Sequence, residues 1–286
     1  MGEWVNGQGA KQSGPNLAQR FGRPEASYVG SLGFSFTHSP IHPFTHSPIA
    51  KLTDLTNHVI IVSGASRGIG RATALLLALQ GATVVAVARS ADELAELTTK
   101  TKGLGLVADV ADAADAQHVV AETLRRFGRL DALVCNAGVG SFDELEKVEA
   151  AEWDRIFDTN VKGTFLLCKF AVPHFKAQRG GHIIAITSDV ARRTFAHGTV
   201  YGASKYAQDA LLGSLRKEVR PHGIKVSTIM PGLVDTYFNE AAPGSADAEK
   251  THLRPADVAQ AVRYVLEAPA HVVIDELMLH PLTQEW

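Results

Sequence analysis

His58-Val-Ile-Ile-Val-Ser-Gly-Ala-Ser-Arg-Gly-Ile-Gly70 is the stretch on which the fold turns. Residues 58–63 form a short apolar run rich in Val and Ile, as expected of a strand buried on both faces. Gly64, Gly68 and Gly70 follow as G-x-x-x-G-x-G, and residues 71–80 continue in Ala and Leu as a helix. A glycine turn between strand and helix lets the backbone approach a pyrophosphate closely and aims the helix N–H groups and dipole at it. Gly64, Ser66, Arg67, Gly68, Ile69 and Gly70 are therefore candidate cofactor-binding residues. The spacing differs from G-x-G-x-x-G, and no Gly-Lys-Ser/Thr follows, so the turn is not a P-loop. Glycines alone would mark only an ordinary turn; the flanking strand and helix make a nucleotide site the stronger reading.

The same alternation runs to the end of the chain. Further strands are expected at 83–88, 104–108, 131–135, 182–187, 224–229 and 271–279. Helices are expected at 91–100, 113–127, 153–176, from Tyr201 to about 220, and 255–266. Gly128 and Gly223 stand as helix stops and Pro255 as a helix start. This pattern predicts an α/β fold: a doubly wound parallel sheet of about seven strands with helices on both faces. One domain is expected over 52–286.

Of the 286 residues 45% are hydrophobic and 20% charged, which is ordinary for a soluble globular chain. A net charge of −2 gives no basic field and argues against nucleic acid as a partner. Cys135 and Cys168 sit in apolar stretches without metal-type spacing, and read as buried free thiols of a reducing compartment, the cytoplasm. No metal site is expected. No apolar run approaches the ~20 residues of a membrane span.

Residues 1–51 differ from the rest, being rich in Gly, Ser, Pro and His without helical or strand period. Thr37-His-Ser-Pro-Ile41 recurs as Thr45-His-Ser-Pro-Ile49. His38, His42 and His46 have helical metal-ligand spacing, but Pro40, Pro43 and Pro48 oppose the helix it would need. A disordered extension is expected. The next methionine after Met1 is Met230, and Leu52-Thr-Asp-Leu-Thr-Asn-His58 reads as a domain start. The expectation is a natural start near Leu52 at a non-AUG codon, with 1–51 translated upstream sequence; N-terminal sequencing of the native protein decides it.

Tyr201 and Lys205 lie four residues apart, about one helical turn, and so share a face. A phenol titrates near ~10, and an adjacent ammonium favours its ionised form, which makes such a pair a proton donor and acceptor. A hydroxyl from Ser188 would hold a substrate oxygen beside them. At the end of the second expected strand, where a site for NAD usually has an acidic residue, stands Arg89, with Arg67 in the glycine turn. Two guanidinium groups suit a 2′-phosphate, so NADP(H) is favoured over NAD(H).

Together these residues resemble the short-chain dehydrogenase/reductase family, of its classical type, over about 55–286. The resemblance implies a Rossmann-type fold. The glycine turn matches, with Ser63 where the family commonly has threonine. Asp109 falls at the adenine-contacting position, followed by Val110. Cys135-Asn136-Ala137-Gly138 matches Asn-Asn-Ala-Gly with Cys135 replacing the first asparagine. Asn160, Ser188, Tyr201 and Lys205 match the catalytic tetrad, and Pro231, Gly232, Val234 and Thr236 fall where the family closes around the nicotinamide. The tail, Val272-Val-Ile-Asp-Glu-Leu-Met-Leu-His-Pro281, lacks the Asp-Gly-Gly of many relatives. It looks like the branch holding sepiapterin-reductase-like and 3-hydroxy-acid-dehydrogenase-like members, against a 3-oxoacyl reductase role in fatty-acid synthesis.

The resemblance implies an NADP(H)-dependent oxidoreductase acting on CH–OH/C=O of a small molecule, working as a homodimer or homotetramer. Tyr201 is the implied general acid. Lys205 would lower its pKa and hold the nicotinamide ribose, Ser188 would bind the carbonyl, and Asn160 would fix a water of a proton relay. Substrate residues are expected to be Ser188, Asp189, Phe195, Tyr201 and Phe238, with Thr194 and His197 at the pocket edge and 235–252 as a lid. The alternatives are a non-catalytic NADP(H) sensor, which would usually lose the tyrosine or lysine, and an extended-type epimerase or dehydratase. The latter needs a substrate domain larger than the roughly fifty residues after Pro231.

Overall fold

The computed structural model describes residues 52–238, 243–245 and 247–285; the expected extension at 1–51 lies outside them. β1 (Val59–Ser63) pairs in parallel with β2 (Thr83–Ala88) on one side and β4 (Ala132–Cys135) on the other. With β3 (Leu104–Val107), β5 (Gly181–Ile186), β6 (Ile224–Pro231) and β7 (Glu276–Leu279) they form a seven-stranded parallel sheet of order β3-β2-β1-β4-β5-β6-β7. Between them run α1 (Gly68–Leu79), α2 (Ala91–Thr101), α3 (Ala113–Phe127), α4 (Ala150–Phe157), α5 (Gly163–Gln178), α6 (Thr199–Val219), a short α7 (Ala248–Thr251) and α8 (Pro255–Leu266).

The two-residue period of a strand divides the apolar runs between two cores. Val59 and Ile61 of β1, with Val85 and Val87 of β2, pack beneath α3, α5 and α6 through Val119, Leu166 and Leu212. Ile60, Val62, Val84 and Ala86 point the other way, onto Leu77 of α1, Leu94 of α2 and Val262 of α8. Central strands buried on both faces are apolar at nearly every position, which is why the alternation of an exposed sheet is missing from β1, β2 and β4. Local signals set the helix ends. Asp112 caps α3 by accepting from the N–H groups of Ala114 (2.8 Å) and Asp115 (2.9 Å), and Gly128 stops it at φ 71°.

Two elements depart from expectation. Instead of one helix over 153–176, α4 and α5 are joined by a π turn, Asp158–Lys162. Its widened ring turns Asn160 inward, and the fully buried Asn160 side chain bonds the Val139 backbone from there. The last strand spans only Glu276–Leu279, not 271–279. Just before it, the Asp275 carbonyl accepts from the Arg216 Nη2 (2.7 Å) as well as from Thr228 N (3.0 Å).

His182 in β5 is buried, with Nε2 2.8 Å from Ser227 Oγ, and burial, reinforced by Lys225, pushes its imidazole down to about 3. The unfolded chain takes up this proton below the ordinary ~6.5, while the folded chain stays neutral to about 3. Stability is therefore lost as pH falls through that window, by about 2 kcal/mol between pH 6.5 and 5. Urea unfolding of the wild type and His182→Asn at both pH values checks this; the variant should show the smaller loss.

Candidate active site

The chain leaves β1 for β2 and β3 on one side and returns to β4 on the other, which opens a crevice at the carboxyl ends of β1 and β4. Ser63, at the end of β1, ties the crevice together. Its hydroxyl donates to Val134 O (3.3 Å) and accepts from the N–H groups of Asn136 (3.0 Å) and Ala137 (3.1 Å). Asn136 Nδ2 returns hydrogen bonds to the carbonyls of Ser63 (2.9 Å) and Gly64 (3.2 Å). Side chains cannot enter here: a Cβ on Gly70 would fall 2.2 Å from Gly64 O and 2.5 Å from Asn136 Nδ2. Gly64 and Gly68 also hold φ of 62° and 56°, a region that side chains disfavour. Cys135 is buried in the sheet core, so its replacement of asparagine leaves the clamp to Asn136.

This cradle fits a dinucleotide. Among the described residues no side chain caps α1, whose first turn carries no acidic residue, so its N–H groups suit an anion. Ile69 packs down onto the core and Ser66 is half-buried. Ala65 N donates to Val87 O (3.1 Å), which lays the turn along the end of β2, where the exposed Arg89 follows. The Arg89 Nη1 stands 3.9 Å from Asp109 Oδ2, and the Arg67 guanidinium lies 5.7 Å from the Tyr237 ring centre. Asp109 Oδ1 accepts from Ala111 N (3.0 Å), and Val110 packs against Gly163, where a Cβ would be 2.7 Å from its Cγ2. Facing the turn, the chain leaves β6 at Pro231. Gly232 bonds Leu279 O (2.9 Å), Val234 pairs with Leu253, and Thr236 meets Gly68, where a Cβ would be 3.4 Å from its Cγ2.

Ser188, Tyr201 and Lys205 are all buried beside this crevice. Ser188 Oγ lies 3.1 Å from Asp189 Oδ1, to which it donates, and accepts from Val190 N at 3.3 Å. Lys205 Nζ donates to Ile186 O (3.3 Å) and Gln208 Oε1 (3.1 Å) and stands 5.8 Å from the Tyr201 ring centre. Gly138 covers the ammonium: its Cβ would be 3.5 Å from Nζ and 3.4 Å from Asn160 Oδ1. The Asn160 amide accepts from Val139 N and spends both its donors on Val139 O and Ser204 Oγ, each at 2.9 Å. Burial pushes the Tyr201 phenol up to about 12, with Asp189 adding to the rise and the hydrogen bond with Ser188 opposing it. Burial also pushes the Lys205 ammonium down to about 7. Desolvation is the largest cause of the Tyr201 shift, and the expected lowering by Lys205 is not among its causes.

Aromatic rings surround Tyr201. Phe142 packs edge-on at 5.6 Å between centres and Phe238 at 5.3 Å, while Phe195 reaches Phe142 at 5.7 Å. Asp189, expected to face substrate, is instead buried and engaged: Arg193 Nη2 (2.7 Å) and Gln284 Nε2 (2.8 Å) both donate to its Oδ2. Gln284 Oε1 in turn accepts from Leu233 N (2.8 Å), so the C-terminal segment links the turn after Ser188 to the loop after β6. Thr194 and His197 are exposed, and part of the expected lid, 239–242 and 246, lies outside the described residues.

Sequence reasoning missed Phe142, Thr164, Ser204, Gln208 and Gln284. A signal existed for two of them. Tyr201, Ser204, Lys205 and Gln208 follow the 0, 3, 4, 7 spacing of one helical face, and that face is buried. Polar residues on a core-facing stripe call for partners.

A glycine cradle thus lies at the switch point of a doubly wound sheet, with a buried serine, tyrosine and lysine beside it. The family model described as short chain dehydrogenase matches residues 58–245. An uncharacterized oxidoreductase of Listeria innocua is 34% identical over 81% of this chain and 99% of its own length. Among solved structures, an alcohol dehydrogenase of Thermococcus sibiricus complexed with 5-hydroxy-NADP is 34% identical, covering 80% of this chain and 98% of that one at a TM-score of 0.74. A 3-ketoacyl-(acyl-carrier-protein) reductase of Brucella melitensis complexed with NADH is 27% identical, over 80% and 99%, also at 0.74. The chain belongs to the short-chain dehydrogenase family and is an oxidoreductase with the family's Rossmann-type fold. No helix among the described residues is long and apolar enough to cross a membrane.

Proposed function

We propose that the protein reduces a carbonyl of a small molecule to an alcohol with NADPH, or runs the reverse with NADP+. The observation that carries this reading is the burial of Ser188, Tyr201 and Lys205 together, beside the glycine cradle. Tyr201 is the general acid, since burial keeps its phenol protonated at neutral pH, the state a proton donor requires. Ser188 turns its hydroxyl from Asp189 to the substrate carbonyl and stabilises the charge developing on it. Lys205 supports the phenolate left when the proton departs. Gly64, Gly70 and the start of α1 hold the pyrophosphate, and a bound nicotinamide supplies the hydride. Phe142, Phe195 and Phe238 form apolar walls for the substrate, and Asp189 orders Ser188. NADPH oxidation measured against a panel of ketones, aldehydes, diketones and 3-oxo esters tests the proposal; tight NADPH binding with no turnover would replace it by a sensor.

The preference for NADP(H) rests on Arg67 and Arg89, both exposed beside the cradle with no carboxylate closer to Arg89 than Asp109 among the described residues. Arg89→Asp should weaken NADPH binding by roughly 10–100-fold, the value of a charge-assisted hydrogen bond, and improve NADH relative to NADPH. Calorimetric titration with both cofactors checks it, and an unchanged ratio would count against the assignment. We propose further that the protein is cytoplasmic and forms a homodimer or homotetramer. Trp153 of α4 and Phe165 of α5, 44% and 46% exposed, offer an apolar face to a second copy.

A further inference from the structure

We propose that Gln208 is a positioning residue for Lys205: a chain of direct hydrogen bonds from Lys205 through Gln208 and Thr164 to the Asn160 carbonyl holds the ammonium beside Tyr201. The inference rests on the reading of Lys205 as the partner of Tyr201. Gln208 has no exposed surface, and its two ends are both bonded. Oε1 accepts from Lys205 Nζ at 3.1 Å, and Nε2 donates to Thr164 Oγ1 at 2.8 Å. The Thr164 hydroxyl gives its proton to Asn160 O at 2.9 Å, so toward Gln208 it can only accept. An ammonium has donors and no acceptor, so toward Lys205 the amide must present oxygen. The direction of every bond in the chain follows from these two ends, and the amide has one orientation.

A primary amide is a costly choice for a core position on α6, where a leucine would pack as well. Full pairing offsets that cost, and the pairing runs to a charged group. Of the three ammonium donors, Ile186 O and Gln208 Oε1 engage two, which leaves one to face ligand or Tyr201. The anchor at the far end is rigid: Asn160 belongs to the π turn and clasps the Val139 backbone with both ends of its own amide. Lys205 is thereby tied to α5 and the β4 loop as well as to its own helix. No proton moves through Gln208; the amide is a fixed dipole that places the charge.

The ionisable neighbours are few. Tyr201 shares the helix, and Asp189 on the turn after β5 acts on Tyr201. Other charges near α6 have partners of their own: Asp189 with Arg193 and His280, Arg192 with Asp209, Lys162 with Asp158, Arg216 with Asp275 and Glu218 with Lys176. Burial is the cause that depresses Lys205. Removing an acceptor should depress it further, and a carboxylate in the same place should raise it.

The test compares wild type, Gln208→Leu and Gln208→Glu by the pH profile of kcat/KM for NADPH-dependent reduction and by the pH dependence of NADPH affinity. Lys205→Met identifies the alkaline limb due to Lys205 by abolishing it. Gln208→Leu should move that limb about one unit to lower pH and lower kcat about tenfold; Gln208→Glu should move it to higher pH. Opposite shifts are not the mark of general loosening. Coincident limbs in folded variants, or shifts of both in one direction, overturn the inference. Should Gln208→Leu fail to fold, Gln208→Glu decides alone. A wild type that binds NADPH yet reduces nothing defeats the reductase reading, and the Gln208 inference is then judged by the same opposite shifts in NADPH affinity.

Discussion

Tyr201→Phe is expected to lower kcat for carbonyl reduction by about 10²–10⁴-fold with NADPH affinity nearly unchanged. Phenylalanine keeps the ring that packs on Phe142 and Phe238, at 5.6 and 5.3 Å between centres. It keeps the helix as well, since both residues have similar helical propensity. Only the hydroxyl is lost, and with it the hydrogen bond to Ser188. Such a bond contributes about 1 kcal/mol, partly offset because a buried polar group is removed. The melting temperature should therefore move by a few degrees at most, so a collapse in rate is chemical. Single-turnover oxidation of NADPH, with thermal melting and cofactor titration alongside, separates the effects; reduction at the wild-type rate would mean that Tyr201 is not the proton donor.

Gly70→Ala is expected to destroy the cofactor cradle. Its Cβ would lie 2.2 Å from Gly64 O and 2.5 Å from Asn136 Nδ2, against backbone and against the amide that clamps the turn. Relief requires the start of α1 to back away from β1, which costs about 1–3 kcal/mol in stability as overpacking does. It also moves the helix N–H groups from the pyrophosphate, for a loss of roughly 10–100-fold in NADPH affinity. Gly213→Ala is the control. That glycine lies within α6 with nothing within 4 Å of its Cβ position, so alanine should be neutral or stabilise by about 0.5–1 kcal/mol. Fluorescence titration of NADPH reads both variants.

The fold was legible because β1, β2 and β4 are short, almost wholly apolar and separated by helices. Val59 to Val62 supply both cores in alternation, and Asp112 and Gly128 bracket α3 at the expected residues. The cradle was legible because only glycine tolerates its backbone and its clearances. What escaped depends on tertiary contact. The π turn at Asp158–Lys162 is favoured by the bonds Asn160 makes to Val139, and no local propensity announces them. Gln284 reaches Asp189 across 95 residues, so the buried role of Asp189 could not be told from a pocket-facing one. The Tyr201 phenol was expected to be lowered by Lys205, but burial raises it instead, and burial is not a property of spacing.

The most direct measurement is deuterium transfer. Wild-type protein would be incubated with C4-deuterated NADPH and the panel of carbonyl compounds, and the products analysed by mass spectrometry. An alcohol one mass unit heavier at the former carbonyl carbon is the predicted result, lost in Tyr201→Phe on the same timescale. NADPH binding without a deuterated alcohol from any carbonyl class, or a product formed equally well by Tyr201→Phe, would contradict the account.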